Sequence, residues 1–428
     1  MVVSKFTSSE VSILIEDIAI LFDCYIKQYV NKLHNPNFES VLLDDMMDIL
    51  MEQFSINTDD ILNKTKLESV LKYVLDNFCY KYIIPKRAIK TKFKNVVTEK
   101  DRISMAKKIE YLKNIPQPDQ RTDEWYTFRH GLITASNAWK CLGSQSQKNS
   151  IIFEKCKPLV LNNDVEKPET PNVDTYVNTQ TTLHFGQKYE PLSVMYYEFT
   201  YNTTVGEFGC IPHSKYSFLG ASPDGINIDE DSCFFGRMLE IKNICNREIT
   251  GNPKLEYFVQ TQLQMETCDL NKCDFLETRF IEYQSEEEFS KDGTFQLTED
   301  GKYKGIIMHF KGDGKPIYEY SPFNCTKEAY DVWENEMFKK HDGREWMENL
   351  YWKLDEVSCV LIVRNKKWFN SIIGEIQEVW NTILKERVDG YEHRKPRKRT
   401  AEVRKIEDCM DVTVKRPAKR CMIDISSL

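Results

Sequence analysis

Two acidic residues and a lysine stand close together in one segment of the chain, FLGASPDGINIDEDSCFFGRMLEIKN, residues 218–243. Asp224 belongs to a Pro-Asp-Gly turn, and Glu240 and Lys242 belong to a run in which apolar residues alternate with charged ones. This alternation predicts a β-strand, on which Glu240 and Lys242 point to one side while their apolar neighbours pack on the other.

The chemistry of these three groups depends on whether the segment folds back on itself. In a hairpin, Asp224 and Glu240 would lie side by side, and two close carboxylates repel unless a proton or a cation sits between them. Hard oxygen ligands favour Mg²⁺ or Mn²⁺. Lys242 would then point at a substrate or an attacking water, which suits phosphodiester hydrolysis. Taken alone, the pattern also fits a solvated turn followed by a surface ion pair.

The sequence before this segment is predicted to be largely helical. Residues 1–115 contain apolar stripes at helical spacing and are assigned to a helical N-terminal region. A short helix is predicted to begin after Thr122, its N-cap, and to end at Gly131, and Ser136 is placed to cap the next helix. Residues 157–182 are polar, contain three prolines and are predicted to form an inserted loop.

The remaining elements alternate between helices and strands, an order typical of an α/β or α+β fold. One helix is predicted to start with Asn252 as its N-cap and Pro253 at its first position. The other predicted helices span 184–200, 326–354 and 367–386, and the predicted strands span 209–213, 218–222, 226–228, 237–243, 275–283, 305–310 and 358–364. The predicted domains are a core at 116–325, a helix-strand-helix extension at 326–390 and a basic flexible tail at 391–428.

Four parts of the chain resemble, in the same order, motifs of the PD-(D/E)xK nucleases, and within them the phage-lambda-type exonucleases and viral alkaline nucleases. They are WYTFRHGLITASN (125–137), FGQKYEP (185–191), SPDG with LEIK (222–225 and 239–242), and YFVQTQLQM (257–265). The resemblance implies a restriction-endonuclease-like core, in which helices flank a central mixed sheet.

The resemblance also implies a metal site. Asp224 and Glu240 would bind a cation together with the backbone carbonyl of Ile241, and Glu190 would complete the site for a second cation. The implied cofactor is Mg²⁺, replaceable by Mn²⁺, in a site for two ions.

Two further residues are implied to act on the attacking water. Lys242 would orient or deprotonate the water, and Gln262 would assist at it. Because Gln260, Gln262 and Gln264 cannot all share one helical face, only some of them are functional. The alternative is that Gln260 and Gln264 form a plain polar stripe with Tyr257.

A pocket for a terminal 5′-phosphate is implied by Arg129, Ser136 and Ser222. The residue types suit this ligand, because an arginine fork pairs with phosphate, and hydroxyls with a helix N-terminus complete the cradle. The alternatives are that Arg129 is an ordinary surface arginine and that Ser136 is only an N-cap.

The chain differs from the simplest phage members of this family. It has a long helical front, the 157–182 loop and a long segment after the core. A phage-like ring trimer is therefore not assumed, and the oligomeric state stays open. With its C-terminal extension and basic tail, the chain looks most like the alkaline nuclease of baculoviruses.

Composition limits the class of protein. The chain has 428 residues, of which 41% are hydrophobic, but no apolar run of the length that a membrane-spanning helix needs. Glu16 and Asp17 stand where a signal peptide would be apolar. The thirteen cysteines form no C-x-x-C pair, and the closest spacing joins Cys268 and Cys273. We therefore expect free thiols in a reducing, intracellular compartment and no membrane partner.

Charge is unevenly distributed. Residues 393–420 contain eleven Lys or Arg and four Asp or Glu, a net charge of +7, whereas the rest of the chain has −15. The acidic body would therefore contact DNA through a local basic channel or bound cations. The basic clusters predict a nuclear-import signal, and thus the host-cell nucleus, or nonspecific contacts to nucleic acid. A solvated tail with neither role is the alternative.

The expected function is a metal-dependent 5′→3′ DNA exonuclease that leaves 3′ single strands for viral recombination, replication and genome processing. The resemblance implies an alkaline optimum, double-stranded DNA ends as substrate and a partner that binds or anneals single-stranded DNA. An endonuclease or RNA-degrading nuclease of the same fold is one alternative. A non-catalytic scaffold that binds DNA or a partner is another, which the intact set of Asp224, Glu240 and Lys242 disfavours.

Overall fold

The computed structural model describes residues 8–53, 61–90, 98–118, 122–159, 178–179, 181–312 and 314–396. These residues divide into two units. One contains the residues up to Ile84 and those from Gly390 onward, and the other is Pro85–Asp389. All the predicted site residues belong to the second unit.

The first unit is helical, as predicted for this part of the chain. It contains α1 (Ser8–Gln28), α2 (Phe38–Gln53) and α3 (Ile61–Val74), and π-helical turns at Leu75–Ile83 extend α3. Apolar residues four positions apart, such as Ile18, Phe22 and Ile26 in α1, are each at most 2% exposed. Each helix therefore buries one apolar stripe against the others.

The helix α4 (Glu99–Asn114) belongs to the second unit, not to the first. Its residues Ile109 and Leu112 are buried in one apolar cluster with Phe208 and Phe258. The boundary between the units therefore lies at residues 84 and 85, whereas the sequence predicts it near residue 115. Helical spacing alone does not show which core a helix packs on.

Among the described residues, the second unit has seven further α-helices and ten strands. The helices are α5 (Asp123–His130), α6 (Gln145–Cys156), α7 (Thr182–Tyr201), α8 (Leu255–Thr267), α9 (Glu286–Lys291), α10 (Lys327–Lys340) and α11 (Lys366–Asp389). The strands are β1 (Ile133–Thr134), β2 (Val205–Gly206), β3 (Ile211–Pro212), β4 (Leu219–Ala221), β5 (Gly225–Asn227), β6 (Met238–Asn243), β7 (Lys272–Glu282), β8 (Lys304–Lys311), β9 (Pro316–Tyr320) and β10 (Trp346–Val363).

Seven of these strands form one mixed sheet in the order β2-β5-β6-β7-β10-β8-β9. β6 and β7 run parallel, and α8 lies between them in the chain as the crossover helix, while the other neighbours are antiparallel. A smaller sheet has the order β1-β4-β3. The mixed sheet with its helices confirms the predicted α/β (α+β) class.

The long strand β10 departs most from the prediction. The sequence predicts a helix over 326–354, but α10 ends at Lys340 and Gly343 turns the chain with a φ of +81°. β10 then pairs with both β7 and β8. The predicted 326–390 extension therefore supplies an internal strand of the main sheet. The sequence prediction missed this strand because its partners are distant segments, which local patterns do not show.

Two predicted segments lie partly outside the described residues. Residues 160–177 and 180 of the predicted 157–182 loop, and the predicted tail beyond residue 396, lie outside them. Within the described residues, every cysteine is a free thiol, as expected. No helix in that part of the chain combines the length and apolarity needed to cross a membrane.

Candidate active site

A hairpin brings the predicted acidic residues together. β5 and β6 pair antiparallel, with Gly225 opposite Leu239, so Asp224 lies just before β5 at the level of Glu240. The Oδ2 atom of Asp224 accepts a hydrogen bond of 2.7 Å from the backbone N–H of Ile241. The turn is thereby fixed to the strand that contains Glu240 and Lys242.

Glu240 is fully buried on β6, and both its carboxylate oxygens are hydrogen-bonded. Its Oε1 atom accepts from Lys242 Nζ at 2.5 Å, and its Oε2 atom accepts from Gln264 Nε2 at 2.6 Å. The Lys242 ammonium lies 5.2 Å from the ring centroid of Tyr257, and 22% of its side chain is exposed. Glu240 and Lys242 thus share one side of the strand, as alternation predicts.

The site has more negative than positive charge. Burial and the charges of Glu240 and Glu190 raise the pKa of Asp224 well above its ordinary value, although Lys242 opposes them. Burial favours the neutral amine of Lys242, but the charges of Glu240 and Asp224 outweigh it and raise the Lys242 pKa. One ammonium among three carboxylates leaves an arrangement that a bound cation would stabilise.

The residues at this position fit a hard metal ion in donor type and charge. Asp224, Glu240 and Glu190 offer carboxylate oxygens, and the Ile241 carbonyl adds a neutral oxygen of the kind Mg²⁺ and Mn²⁺ accept. Within the described part of the chain, no three His, Cys, Asp or Glu side chains are already spaced as a ligand set. Lys242 and Gln264 occupy the Glu240 oxygens instead.

A cavity of about 1,230 Å³ opens beside Asp224. Glu190 of α7 lines it, and so does the turn from Ser222 to Asp224. The predicted phosphate-binding residues Arg129, Ser136 and Ser222 line the same cavity. The structure therefore joins the carboxylate site and the predicted phosphate pocket in one space.

Arg129 is held in place from several sides. Its helix α5 begins with the predicted cap, since Thr122 Oγ1 accepts from the Trp125 N–H at 3.2 Å, and it ends at Gly131. The Arg129 guanidinium lies 4.4 Å from the ring centroid of Trp125 and donates to Ser222 Oγ at 3.2 Å. These contacts differ from those of an ordinary surface arginine.

Lys155, which the sequence does not single out, contacts the backbone of Arg129. Its side chain is 5% exposed, and its ammonium donates to the Arg129 carbonyl at 2.7 Å. Burial, with the nearby charges of Arg129 and Arg387, lowers the pKa of Lys155 to about 8. Nothing in the local sequence distinguishes this lysine from its exposed neighbours.

Ser136 lines the cavity but does not cap a helix. Its hydroxyl lies 3.2 Å from Thr134 Oγ1. A 3₁₀ turn at Ala138–Leu142 replaces the predicted helix, and its N-cap Asn137 makes no capping hydrogen bond with its side chain. Ser136 is therefore an exposed residue at the cavity and not a helix cap.

The glutamines of α8 require a correction. Gln262 points away from the site, because its amide donates to the Val363 carbonyl at 2.9 Å and accepts from the Asn365 N–H at 2.7 Å. Gln264 contacts Glu240 instead, and Gln260 lines the cavity. Helical spacing provides the missed signal, since residues 260 and 264 share a face and residue 262 does not.

The start of α8 also differs from the prediction. Its N-cap is Lys254, whereas Asn252 and Pro253 precede the helix. Arg87, distant in the chain, donates to the Asn252 side chain at 3.2 Å and to the Pro253 carbonyl at 2.8 Å. The Asn252 side chain, which the local pattern predicts to cap the helix, is thus hydrogen-bonded to Arg87 instead.

The fold and site define a mixed α/β protein with a carboxylate–lysine cluster beside an arginine-lined cavity. Residues 124–271 match the family model of the YqaJ-like viral recombinase domain. The match contains Arg129, Glu190, Asp224, Glu240 and Lys242. It confirms the resemblance to viral and phage-type proteins for this segment.

A longer part of the chain is similar to a viral protein. The chain is 30% identical over 331 residues to the uncharacterized protein R354 of Acanthamoeba polyphaga mimivirus. The match covers 68% of this chain and 57% of that protein, so the chain spans little more than half of its relative's length. The narrower resemblance to baculovirus alkaline nucleases stays a prediction.

Two solved structures are also similar to this chain. Both are of LHK-Exo, an alkaline exonuclease from Laribacter hongkongensis, and one is in complex with dAMP. Each match covers 64% of this chain and 95% of the other, with 18% identity and a TM-score of 0.33.

Proposed function

We propose that this protein is a metal-dependent deoxyribonuclease that degrades linear duplex DNA from a 5′ end. The hydrogen bond from the Ile241 N–H to Asp224 Oδ2 is the main support, because it places a second carboxylate beside Glu240 and Lys242. The match of residues 124–271 to the model of the YqaJ-like viral recombinase domain supports a role in DNA recombination.

The proposed cofactor is Mg²⁺, replaceable by Mn²⁺, at a site for two ions. Asp224, Glu240, Glu190 and the Ile241 carbonyl would hold it. When bound, such a metal lowers the pKa of a water and neutralises charge that develops on phosphate. Lys242 would orient the water, and its positive charge would stabilise the negative charge that develops on the phosphate.

The cavity supports the choice of a DNA end as substrate. Arg129 and Ser222 form a hydrogen-bonded pair that lines the same cavity as Asp224 and Glu190. Guanidinium and hydroxyl groups are suitable partners for a terminal phosphate. Binding the 5′-phosphate there would place a nearby phosphodiester at the carboxylates, which gives the proposed 5′→3′ direction.

The biological setting follows from this direction. Removal of the 5′ strand leaves a 3′ single strand, the substrate of a protein that binds or anneals single-stranded DNA, and we propose such a partner. The proposed location is the host-cell nucleus, on the basis of the basic clusters beyond residue 393.

The test is digestion of linear duplexes by the purified chain, with and without Mg²⁺ and with 5′-phosphate or 5′-hydroxyl ends. Label at each end in turn gives the direction. We expect Mg²⁺-dependent release of nucleotides from the 5′ end, faster when it carries phosphate. Release from 3′ ends, or cutting of circular duplex or RNA at a similar rate, would contradict the proposal.

A further inference from the structure

Gln264 connects the two halves of the candidate site. Its side-chain amide donates to Glu240 Oε2 at 2.6 Å and to the Ser222 carbonyl at 3.1 Å. The hydroxyl of the same serine accepts from Arg129 NH1 at 3.2 Å. Ser222 therefore links Arg129, which contacts its hydroxyl, to Gln264, which contacts its carbonyl and also Glu240.

The orientation of the Gln264 amide is fixed by its partners. Both of them, a carboxylate oxygen and a backbone carbonyl, are acceptors, so the group that faces them is the NH₂. Gln264 is fully buried, and its Oε1 atom has no hydrogen-bond partner among the described residues. The side chain thus makes both contacts while its own carbonyl stays unpaired, an uncommon situation for a buried amide.

The contact restricts the motion of the Glu240 carboxylate. Lys242 holds Oε1 through a side chain that is 22% exposed, whereas the Gln264 side chain that holds Oε2 is fully buried. Without the amide, the carboxylate could rotate about its terminal bond. With it, Oε2 stays aligned with the turn that contains Ser222 and Asp224.

We propose that Gln264 is a positioning residue, which holds the Glu240 carboxylate in register with the Arg129–Ser222 pair. This inference rests on the proposed function, since it assigns Glu240 to the reacting centre. Gln264 itself touches neither the substrate nor the reacting atoms. It sets the geometry in which Glu240 acts when an end phosphate lies against Arg129.

The same helix offers a matched control. Gln262 is 2% exposed, and its amide also makes two hydrogen bonds, but both go to the backbone near the start of α11. Gln264→Met and Gln262→Met each remove a buried amide while keeping the length of the side chain. Only the first change alters the surroundings of Glu240.

The experiment uses the full chain and two measurements. The first is kcat and KM on 5′-phosphorylated and 5′-hydroxyl linear duplexes in Mg²⁺. The second is binding of Mn²⁺ alone, followed by electron paramagnetic resonance. For Gln264→Met we expect kcat to fall about tenfold, KM to stay within about twofold, and Mn²⁺ binding to weaken several-fold. Gln262→Met should lose thermal stability and retain wild-type kcat and Mn²⁺ binding.

Each outcome is decisive. Wild-type kcat and Mn²⁺ binding in Gln264→Met, or equal losses in both variants, would overturn the positioning role. A rise in KM with unchanged kcat would do so as well, because it would place Gln264 in substrate binding. If Gln264→Met does not fold, Gln264→Glu replaces it, since it preserves the shape and puts a negative charge against Glu240. If the wild-type chain cuts no DNA, the proposed function fails, and the Mn²⁺ comparison still decides the role of Gln264.

Discussion

The Asp224 carboxylate is hydrogen-bonded at 2.7 Å to the backbone N–H of Ile241, the residue between Glu240 and Lys242. This contact joins a turn to the neighbouring strand and sets the spacing of the acidic groups. It also uses one oxygen of Asp224, so the carboxylate has a defined direction. The backbone of β6 therefore fixes the position of Asp224 relative to Glu240 and Lys242.

The carboxylate–lysine cluster is expected to be essential for cutting. Asp224→Ala, Glu240→Gln and Lys242→Ala should each lower Mg²⁺-dependent digestion by about a hundredfold or more, the usual scale for loss of a charge-stabilising group. The measurement is single-turnover digestion of an end-labelled duplex, with circular dichroism to verify folding.

The control for Glu240→Gln is Glu287→Gln. Glu287 also pairs with a lysine, Lys291, but both side chains are about three-quarters exposed and lie on the surface helix α9. Loss of so exposed a pair has little effect on stability. Near-normal digestion by folded Glu240→Gln would reject the assignment of Glu240 to the metal site.

Arg129 is expected to recognise the 5′-phosphate. Arg129→Ala should slow digestion of 5′-phosphorylated ends and largely remove the preference for them over 5′-hydroxyl ends, because the guanidinium fork is lost. Arg129→Lys should retain part of the rate but little of the preference. The ratio of initial rates on the two substrates is the measurement.

Arg279→Ala serves as the matched control for Arg129. Arg279 is a partly buried arginine of β7, hydrogen-bonded to Glu356 at 2.5 Å, and it does not line the cavity. Its loss should leave the phosphate preference unchanged. If Arg129→Ala keeps the full preference, the phosphate binds elsewhere.

Lys155 is expected to make the stability of the protein depend on pH. Its pKa is lowered to about 8 in the folded protein from an ordinary value of 10.5, mainly by burial. Between about pH 8 and about pH 10.5 the unfolded state therefore binds more protons than the folded state, and the free energy of unfolding rises with pH by at most about 1.4 kcal/mol per unit. Below that window, the buried charge destabilises the fold.

Lys155→Met should remove this contribution. Urea unfolding of the two proteins across that pH range measures it, as the difference between their free energies of unfolding. The wild type should gain stability relative to the variant as pH rises. A difference that stays constant with pH would show that the Lys155 pKa is not lowered.

The hairpin and its acidic residues were accessible from the sequence because their signals are local. Alternating apolar residues define β6, and the Pro-Asp-Gly turn marks the position of Asp224. The cap at Thr122 and the end at Gly131 likewise depend on neighbouring residues only. Such features need no knowledge of distant contacts.

The features that sequence analysis missed depend on pairing between distant segments. Residues 346–354 form a strand because they pair with β8 and, from Trp352 onward, with β7. The three glutamines of α8 were visible, but which of them faces Glu240 depends on the rotation of the helix against β6. Lys155 stands out only because its ammonium contacts the Arg129 carbonyl, a contact that the local sequence does not show.

The basic tail is expected to direct the protein to the nucleus and to contribute little to catalysis. Its two clusters, RKPRKR and KRPAKR, lie beyond every candidate site residue and are separated by a spacer that contains four acidic residues. Few apolar residues accompany them, a composition that suits recognition by an import receptor. Truncation after Pro396 keeps the described residues of the first unit and removes most of the positive charge.

The truncated chain should digest DNA at nearly the wild-type rate at moderate salt, while its fluorescent fusion moves from the nucleus to the cytoplasm. A full-length variant with Lys415, Arg416, Lys419 and Arg420 changed to glutamine tests the second cluster separately. Contacts between the tail and DNA would instead weaken digestion, and more so as salt rises, because they are phosphate contacts. Unchanged nuclear accumulation of the truncated chain would reject the import role, and a loss of digestion at every salt concentration would place the tail in the DNA-binding surface.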